Sequence, residues 1–208
     1  GGTITDLKTG EILDRQTISG EKALRLMKVI SRYHAMYDPY INGRGITQPE
    51  FYDHMDEFGL TPVIQEMVRA TRDVVLNIQD YVKQTGAEVE KINIYLADLK
   101  DREPLQRELE QEEGLSITSS LYNNLEVNDA KATKGQALKR LADYLNIPME
   151  AVMAFGDGGN DLSMIQAAGT GVAMANGLET VKAAADYITL DNDQDGVADA
   201  IEKLILGH

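Results

Sequence analysis

The chain has 208 residues, enough for one large domain or two modest ones, and its 43% hydrophobic content is sufficient for a real core. Thirty-four acidic against twenty basic side chains leave a formal charge of −14, which repels nucleic acid and anionic membrane surfaces. Cysteine is absent, so disulfides, zinc-thiolate centres and thiol nucleophiles are excluded. No apolar run reaches the length of a membrane span and the first residues have no signal-peptide pattern, so a cytoplasmic location is the expectation, with no nucleic-acid or membrane partner.

Thr3-Ile4-Thr5 and Glu11-Ile12-Leu13 read as a small hairpin turning near Gly10. An amphipathic helix follows from Glu21 to His34, with Ser19 or Gly20 at its start and Leu24, Met27 and Ile30 on one face. Asn42-Gly43-Arg44-Gly45 has the composition of a hairpin tip between two short strands. Thr47-Gln48-Pro49-Glu50 has the form of a capping box for a helix carrying Phe51, Tyr52 and Met55. Pro62 to Lys83 is helical by period, in one or two pieces, and Gly86 closes it. Ile92 to Leu96 reads as a strand, and Arg102 to Glu113 as a helix with polar faces that stops at Gly114. Ser116 to Ser120 and Leu125 to Val127 suggest a hairpin about Asn123-Asn124.

From about Lys134 the pattern becomes strict helix–strand alternation, which implies a parallel, doubly wound sheet. A helix runs to Leu145, and the apolar run Ala151 to Phe155 then breaks at glycine into Gly156-Asp157-Gly158-Gly159-Asn160-Asp161. Ligands of open α/β sheets lie at the carboxyl ends of strands, so Asp157 falls where a hard cation and a phosphate would sit. The neighbouring glycines let backbone N–H groups approach an anion; an ordinary glycine-rich turn capped by Asn160 or Asp161 is the competing reading. Thr133-Lys134-Gly135-Gln136 forms a second capping box, and it puts Lys134 in a first helical turn, where the helix dipole disfavours a cation unless an anion is near. Strands at Val172 to Ala175 and Tyr187 to Leu190, a helix near Leu178 and a last helix from Val197 to Leu206 complete the chain.

Lys134-Gly135, the Gly156–Asp161 loop, Val172-Ala173-Met174-Ala175-Asn176-Gly177, Val181-Lys182, Ala185-Asp186 and Asn192-Asp193-Gln194-Asp195-Gly196-Val197 together resemble the C-terminal half of a haloacid dehalogenase (HAD) superfamily phosphatase of the Cof-like group. The resemblance implies an α/β fold: a partial doubly wound, Rossmann-like core with a type IIB α/β cap, divided as core 1–17, cap 18–128 and core 129–208. It also implies Mg2+ held directly by Asp157 and largely through water by Asp161, with Lys134 and Asn160 as catalytic residues around a phosphoryl group. The expected substrate is a small phosphorylated metabolite, a sugar phosphate or nucleotide, hydrolysed through an aspartyl-phosphate.

The family's opening Asp-x-Asp-Gly strand and its serine or threonine motif are missing from this sequence, so an amino-terminal truncation and an inactive chain are expected. The absent strand would lie beside the one leading to Asp157, so self-association through an exposed sheet edge is a further expectation. Asp193-Gln194-Asp195-Gly196 repeats the nucleophile motif in the wrong order, with no cap after it. The run Asp191 to Glu202 also satisfies EF-hand spacing, so a calcium-binding module and a noncatalytic phosphometabolite-binding protein are the alternatives. His34, His54 and His208 form no ligand cluster, and Arg44 at a hairpin tip is a candidate substrate contact.

Overall fold

A computed structural model describes residues 2–119 and 121–207, and its contacts divide the chain into two compact units. The first joins Thr3–Asp14 to the chain from Lys131 onward; the second spans Arg15–Ala130. Ser120 and His208, named above in a strand and among the histidines, lie outside the described residues.

In the second unit a helix and a sheet form for legible reasons. Helix α1 (Gly20–Ile30) begins where the Ser19 side chain accepts from the Lys22 N–H, and it buries Ala23, Leu26, Met27 and Ile30 on a single stripe. Beside it, β3 (Ala35–Ile41) and β4 (Arg44–Thr47) make the hairpin expected around Asn42-Gly43, both of which have positive φ. They join β5 (Arg72–Val74), β6 (Lys91–Leu96), β7 (Leu115–Thr118) and β8 (Asn124–Asp129) in one sheet of order β5-β4-β3-β6-β8-β7. Alternation along β6 turns Ile92, Ile94 and Leu96 into the apolar cluster shared with Leu26, Met27, Ile78, Val82, Leu105 and Leu109. Register sets Asp38 opposite Asn93 and Met36 opposite Tyr95.

Four expectations are corrected here. The stretch Pro62 to Lys83 is not simply helical: α3 (Pro62–Thr71) and α4 (Ile78–Thr85) are separated by β5, which pairs in parallel with β4. The reason is tertiary, since Arg72 is drawn into the sheet by Asp38. Thr47 is not a helix cap; it closes β4, fully buried, and its carbonyl accepts from the Val75 N–H at 2.8 Å. Gln48 precedes the short helix α2 (Pro49–Tyr52) without a side-chain cap bond. Finally, Asn124 belongs to β8 rather than to the turn, and α5 (Arg102–Leu109) ends before Gly114.

The first unit contains all but the last residue of the two-stranded sheet β1 (Thr3–Thr5) and β2 (Ile12–Arg15), turning at Gly10 with φ of 75°. Its main sheet is three-stranded and parallel, in the order β11 (Tyr187–Ile188), β10 (Thr170–Ala173), β9 (Met153–Gly156). Helix α6 (Lys134–Leu145) precedes β9; α7 (Leu162–Ala167), α8 (Glu179–Lys182) and α9 (Gly196–Ile201) follow the strands in turn. This is the α/β class and parallel alternation expected from the sequence. Helices α6 and α7 touch at Gly135, where an added Cβ would come within 2.1 Å of the Ser163 carbonyl oxygen. That close approach brings Lys134, in the first turn of α6, beside the loop after β9. Among the described residues β9 pairs only with β10 and forms one margin of the sheet.

Candidate functional site

The loop after β9 is organised by Asp161. Its Oδ2 accepts the backbone N–H groups of Asp157 and Gly158, each at 3.1 Å, and its Oδ1 accepts Lys134 Nζ across a span of 27 residues. Gly156 is required here, because a Cβ on it would stand 2.5 Å from Asp161 Cβ. The Asp161 side chain is 8% exposed and that of Lys134 is 42% exposed, so the pair bridges the interior and the solvent. Burial alone would raise the Asp161 carboxyl, but Lys134 and the two N–H groups hold it below its ordinary value.

The sign of that shift has a consequence for acid stability. A depressed carboxyl contributes stability that is present above the unfolded value and lost as pH falls through the folded one. Asp161→Asn is therefore expected to flatten the loss of stability below about pH 4, the ordinary aspartate range. Urea midpoints between pH 2 and 5 measure this; an unchanged acid profile would show that Asp161 is not the titrating group.

Asp157 differs from Asp161. It is exposed at the carboxyl end of β9, its carbonyl is anchored by the Leu178 N–H at 2.9 Å, and its carboxylate is directed to no protein donor among the described residues. Asn160 is exposed in the same loop. Chemically the arrangement offers one open carboxylate, one carboxylate already neutralised by a lysine, and that lysine half in solvent. The structure thus brings Lys134, Asp157, Asn160 and Asp161 into one turn-and-helix junction. The direct Lys134–Asp161 pairing was not visible from spacing; its signal was the cation in a helix's first turn, which needs a nearby anion.

Against family models, residues 1–201 match the haloacid dehalogenase-like hydrolase family. The chain belongs to that family. Among curated proteins, phosphatase YwpJ of Bacillus subtilis is 52% identical over 96 residues, 46% of this chain and 34% of that protein. The pyridoxal phosphate phosphatase YbhA of Escherichia coli is 27% identical over 97% of this chain and 74% of its own length. A solved haloacid dehalogenase-like hydrolase from B. subtilis superposes with a TM-score of 0.81 at 30% identity, covering 99% of this chain and 77% of that one. The matched stretches of the first two curated relatives, YwpJ and the 5-amino-6-(5-phospho-D-ribitylamino)uracil phosphatase YcsE of B. subtilis, span 34% and 45% of their lengths.

The remaining candidate residues lie elsewhere. Arg44 is occupied, its Nη2 donating to Asp73 at 2.8 Å and its Nη1 to the Ala70 carbonyl at 3.4 Å. His34 packs against Phe58, and His54 Nδ1 meets the Glu50 carbonyl at 3.0 Å. In the Asp191–Glu202 run, α9 starts at Gly196, inside the would-be calcium loop, and the strand β11 precedes the run where an EF-hand has a helix. Among the described residues no three acidic or histidine side chains converge to hold a metal. No described helix is long and apolar enough to cross a membrane.

Proposed function

We propose that the complete protein is a magnesium-dependent phosphatase that hydrolyses a small phosphorylated metabolite, a sugar phosphate or nucleotide, through an aspartyl-phosphate. The observation that carries this is the Lys134–Asp161–Asp157 junction at the end of a parallel strand, in a member of a hydrolase family whose relatives include phosphatases. Magnesium takes one or two carboxylates and keeps several waters beside phosphate oxygens. Open Asp157, with Asp161 behind it for water-mediated contact, fits that donor set, whereas in the Asp191–Glu202 run α9 begins inside the would-be calcium loop. Bound there, the cation would supply charge neutralisation for phosphoryl oxygens.

The protein's own residues have separable parts. Lys134 holds positive charge next to the phosphoryl position while remaining tied to Asp161, so its ammonium is fixed before substrate arrives. Asp161 in turn tethers the Asp157 and Gly158 N–H groups, which sets the direction of Asp157. Asn160, at the outer face of the loop, orients the phosphoryl group. The attacking carboxylate is not supplied by these residues; this reading needs one on a strand that pairs beside β9. The unpaired margin of β9 is where such a strand would add, or where a second copy would associate in its absence. A cytoplasmic protein fits the composition.

The test is hydrolysis of p-nitrophenyl phosphate by a chain extended upstream through an Asp-x-Asp-Gly strand. Removing Mg2+ with a chelator is expected to lower the rate at least about 100-fold, the scale of one lost electrostatic contact to the transition state. Undiminished turnover without Mg2+ would contradict the proposal.

A further inference from the structure

At one end of the six-stranded sheet, the second unit contains a cavity of about 490 Å3, within the size range of small-molecule sites. Its floor is aromatic. Tyr37 of β3, Phe51 of α2 and Phe58 are buried and meet edge to face, with ring centroids 5.2 and 5.8 Å apart. One wall is a fixed hydrogen-bonded set in which Gln79 Nε2 donates to Tyr37 Oη at 3.0 Å and to Ser31 Oγ at 3.1 Å, and Ser31 Oγ donates to the Met27 carbonyl at 2.8 Å.

The opposite rim has the exposed carboxylates of Glu50 and Glu57. Neither is paired with a lysine or arginine among the described residues, and none lines the cavity. Glu57 has the His34 imidazole at 3.8 Å, and Glu50 accepts only a neutral donor, Gln48 Nε2, at 3.1 Å. Two helix ends reach the walls: the C-terminus of α1 at Ser31 and the N-terminus of α4 at Asn77. Their partial charges have opposite sign and offset one another, which leaves Glu50 and Glu57, with the imidazoles of His34 and His54 also on the lining, to set the local potential.

Register separates this cavity from the point where the chain enters the unit. It lies at the Ala35–Leu96 end of the β3–β6 pair, whereas Arg15, bonded to Glu90 at 2.9 Å, lies at the Tyr40–Lys91 end. The cavity has polar donors but no lysine or arginine on its lining, so it lacks the fixed positive charge of a phosphate site.

We propose that this cavity binds an aromatic monocation: a planar ring bearing an amidinium or ammonium group, with the ring against Phe51 and Phe58 and the charge between Glu50 and Glu57. A cation near aromatic faces and carboxylates gains from both, while a carboxylate-bearing ring of the same shape is repelled. The inference stands apart from the phosphatase reading and shares no residue with it.

Benzamidine is the probe, with benzoate and benzyl alcohol as shape-matched anionic and neutral controls, titrated into the 208-residue chain and followed by two-dimensional amide NMR. Saturable shifts are expected for benzamidine, confined to residues 31–37, 48–58 and 77–79, with a Kd in the millimolar range appropriate to a fragment of this size. The double variant Glu50→Gln/Glu57→Gln, at exposed positions that leave the spectrum folded, is expected to weaken binding about 10-fold or more. Absence of saturable shifts, shifts centred elsewhere, equal binding of benzoate, or unchanged affinity in the double variant would each overturn the proposal.

Discussion

Lys134→Met, in a chain extended to include an attacking carboxylate, is expected to lower kcat for p-nitrophenyl phosphate by about 100- to 1,000-fold, the scale seen when one preorganised electrostatic contact is lost. The ammonium is fixed by Asp161 and half exposed, so its removal deletes charge where phosphoryl oxygens would sit and also frees Asp161 Oδ1. Stability should fall less markedly, by about 1–2 kcal/mol, because Asp161 keeps its two backbone donors. Lys134→Arg separates the two effects. It restores the cation and hence the stability, but a planar guanidinium cannot occupy the place of a compact ammonium, so most of the activity stays lost. A methionine variant with full kcat would remove Lys134 from the site.

Arg72→Ala is expected to destabilise the Arg15–Ala130 unit by about 3–5 kcal/mol, the cost of stranding one member of a buried ion pair. Asp38 and Arg72 side chains are 0% and 2% exposed, and Arg72 Nε donates to Asp38 Oδ2 at 2.6 Å. Burial pushes the Asp38 carboxyl up to about 6, against the opposing pull of Arg72 and Asn93. Because the folded value is raised, the stability from this group is fully present below the ordinary aspartate value of 3.8 and lost as pH rises through about 6. With Arg72 gone the carboxyl rises further, so the deficit in urea midpoint should be larger at pH 8 than at pH 5. Replacing both partners with apolar side chains, Asp38→Leu with Arg72→Met, should recover most of the loss. Equal deficits at both pH values would mean that Asp38 does not titrate between them.

These two cases mark what the sequence made legible. The Gly156–Asp161 loop was readable because glycine and carboxylate leave a local signature after an apolar run, and because Lys134 stood at a helix start where it needed an anion. Asp38 and Arg72 are 34 positions apart and belong to segments whose periodicity carries no trace of their meeting. The strand β5 was hidden inside a helical pattern for the same reason, since pairing with β4 and the pull of Asp38 outweigh local preference. Thr47-Gln48-Pro49-Glu50 had the right letters for a capping box, yet burial of Thr47 in β4 took precedence. The Asp191–Glu202 spacing fits an EF-hand only as a string; Asp195 adopts φ of 55° and α9 begins at the next residue. The aromatic cavity needed three segments, around Tyr37, Phe51 and Gln79, to be brought together by the sheet.

The most direct measurement compares magnesium-dependent p-nitrophenyl phosphate hydrolysis by the 208-residue chain, by the chain extended upstream through an Asp-x-Asp-Gly strand, and by the extended chain carrying Asp157→Ala. Turnover in the extended chain alone, abolished by Asp157→Ala, is the expected result. Comparable magnesium-dependent turnover by the 208-residue chain would contradict it and would make Asp193 the next residue to replace.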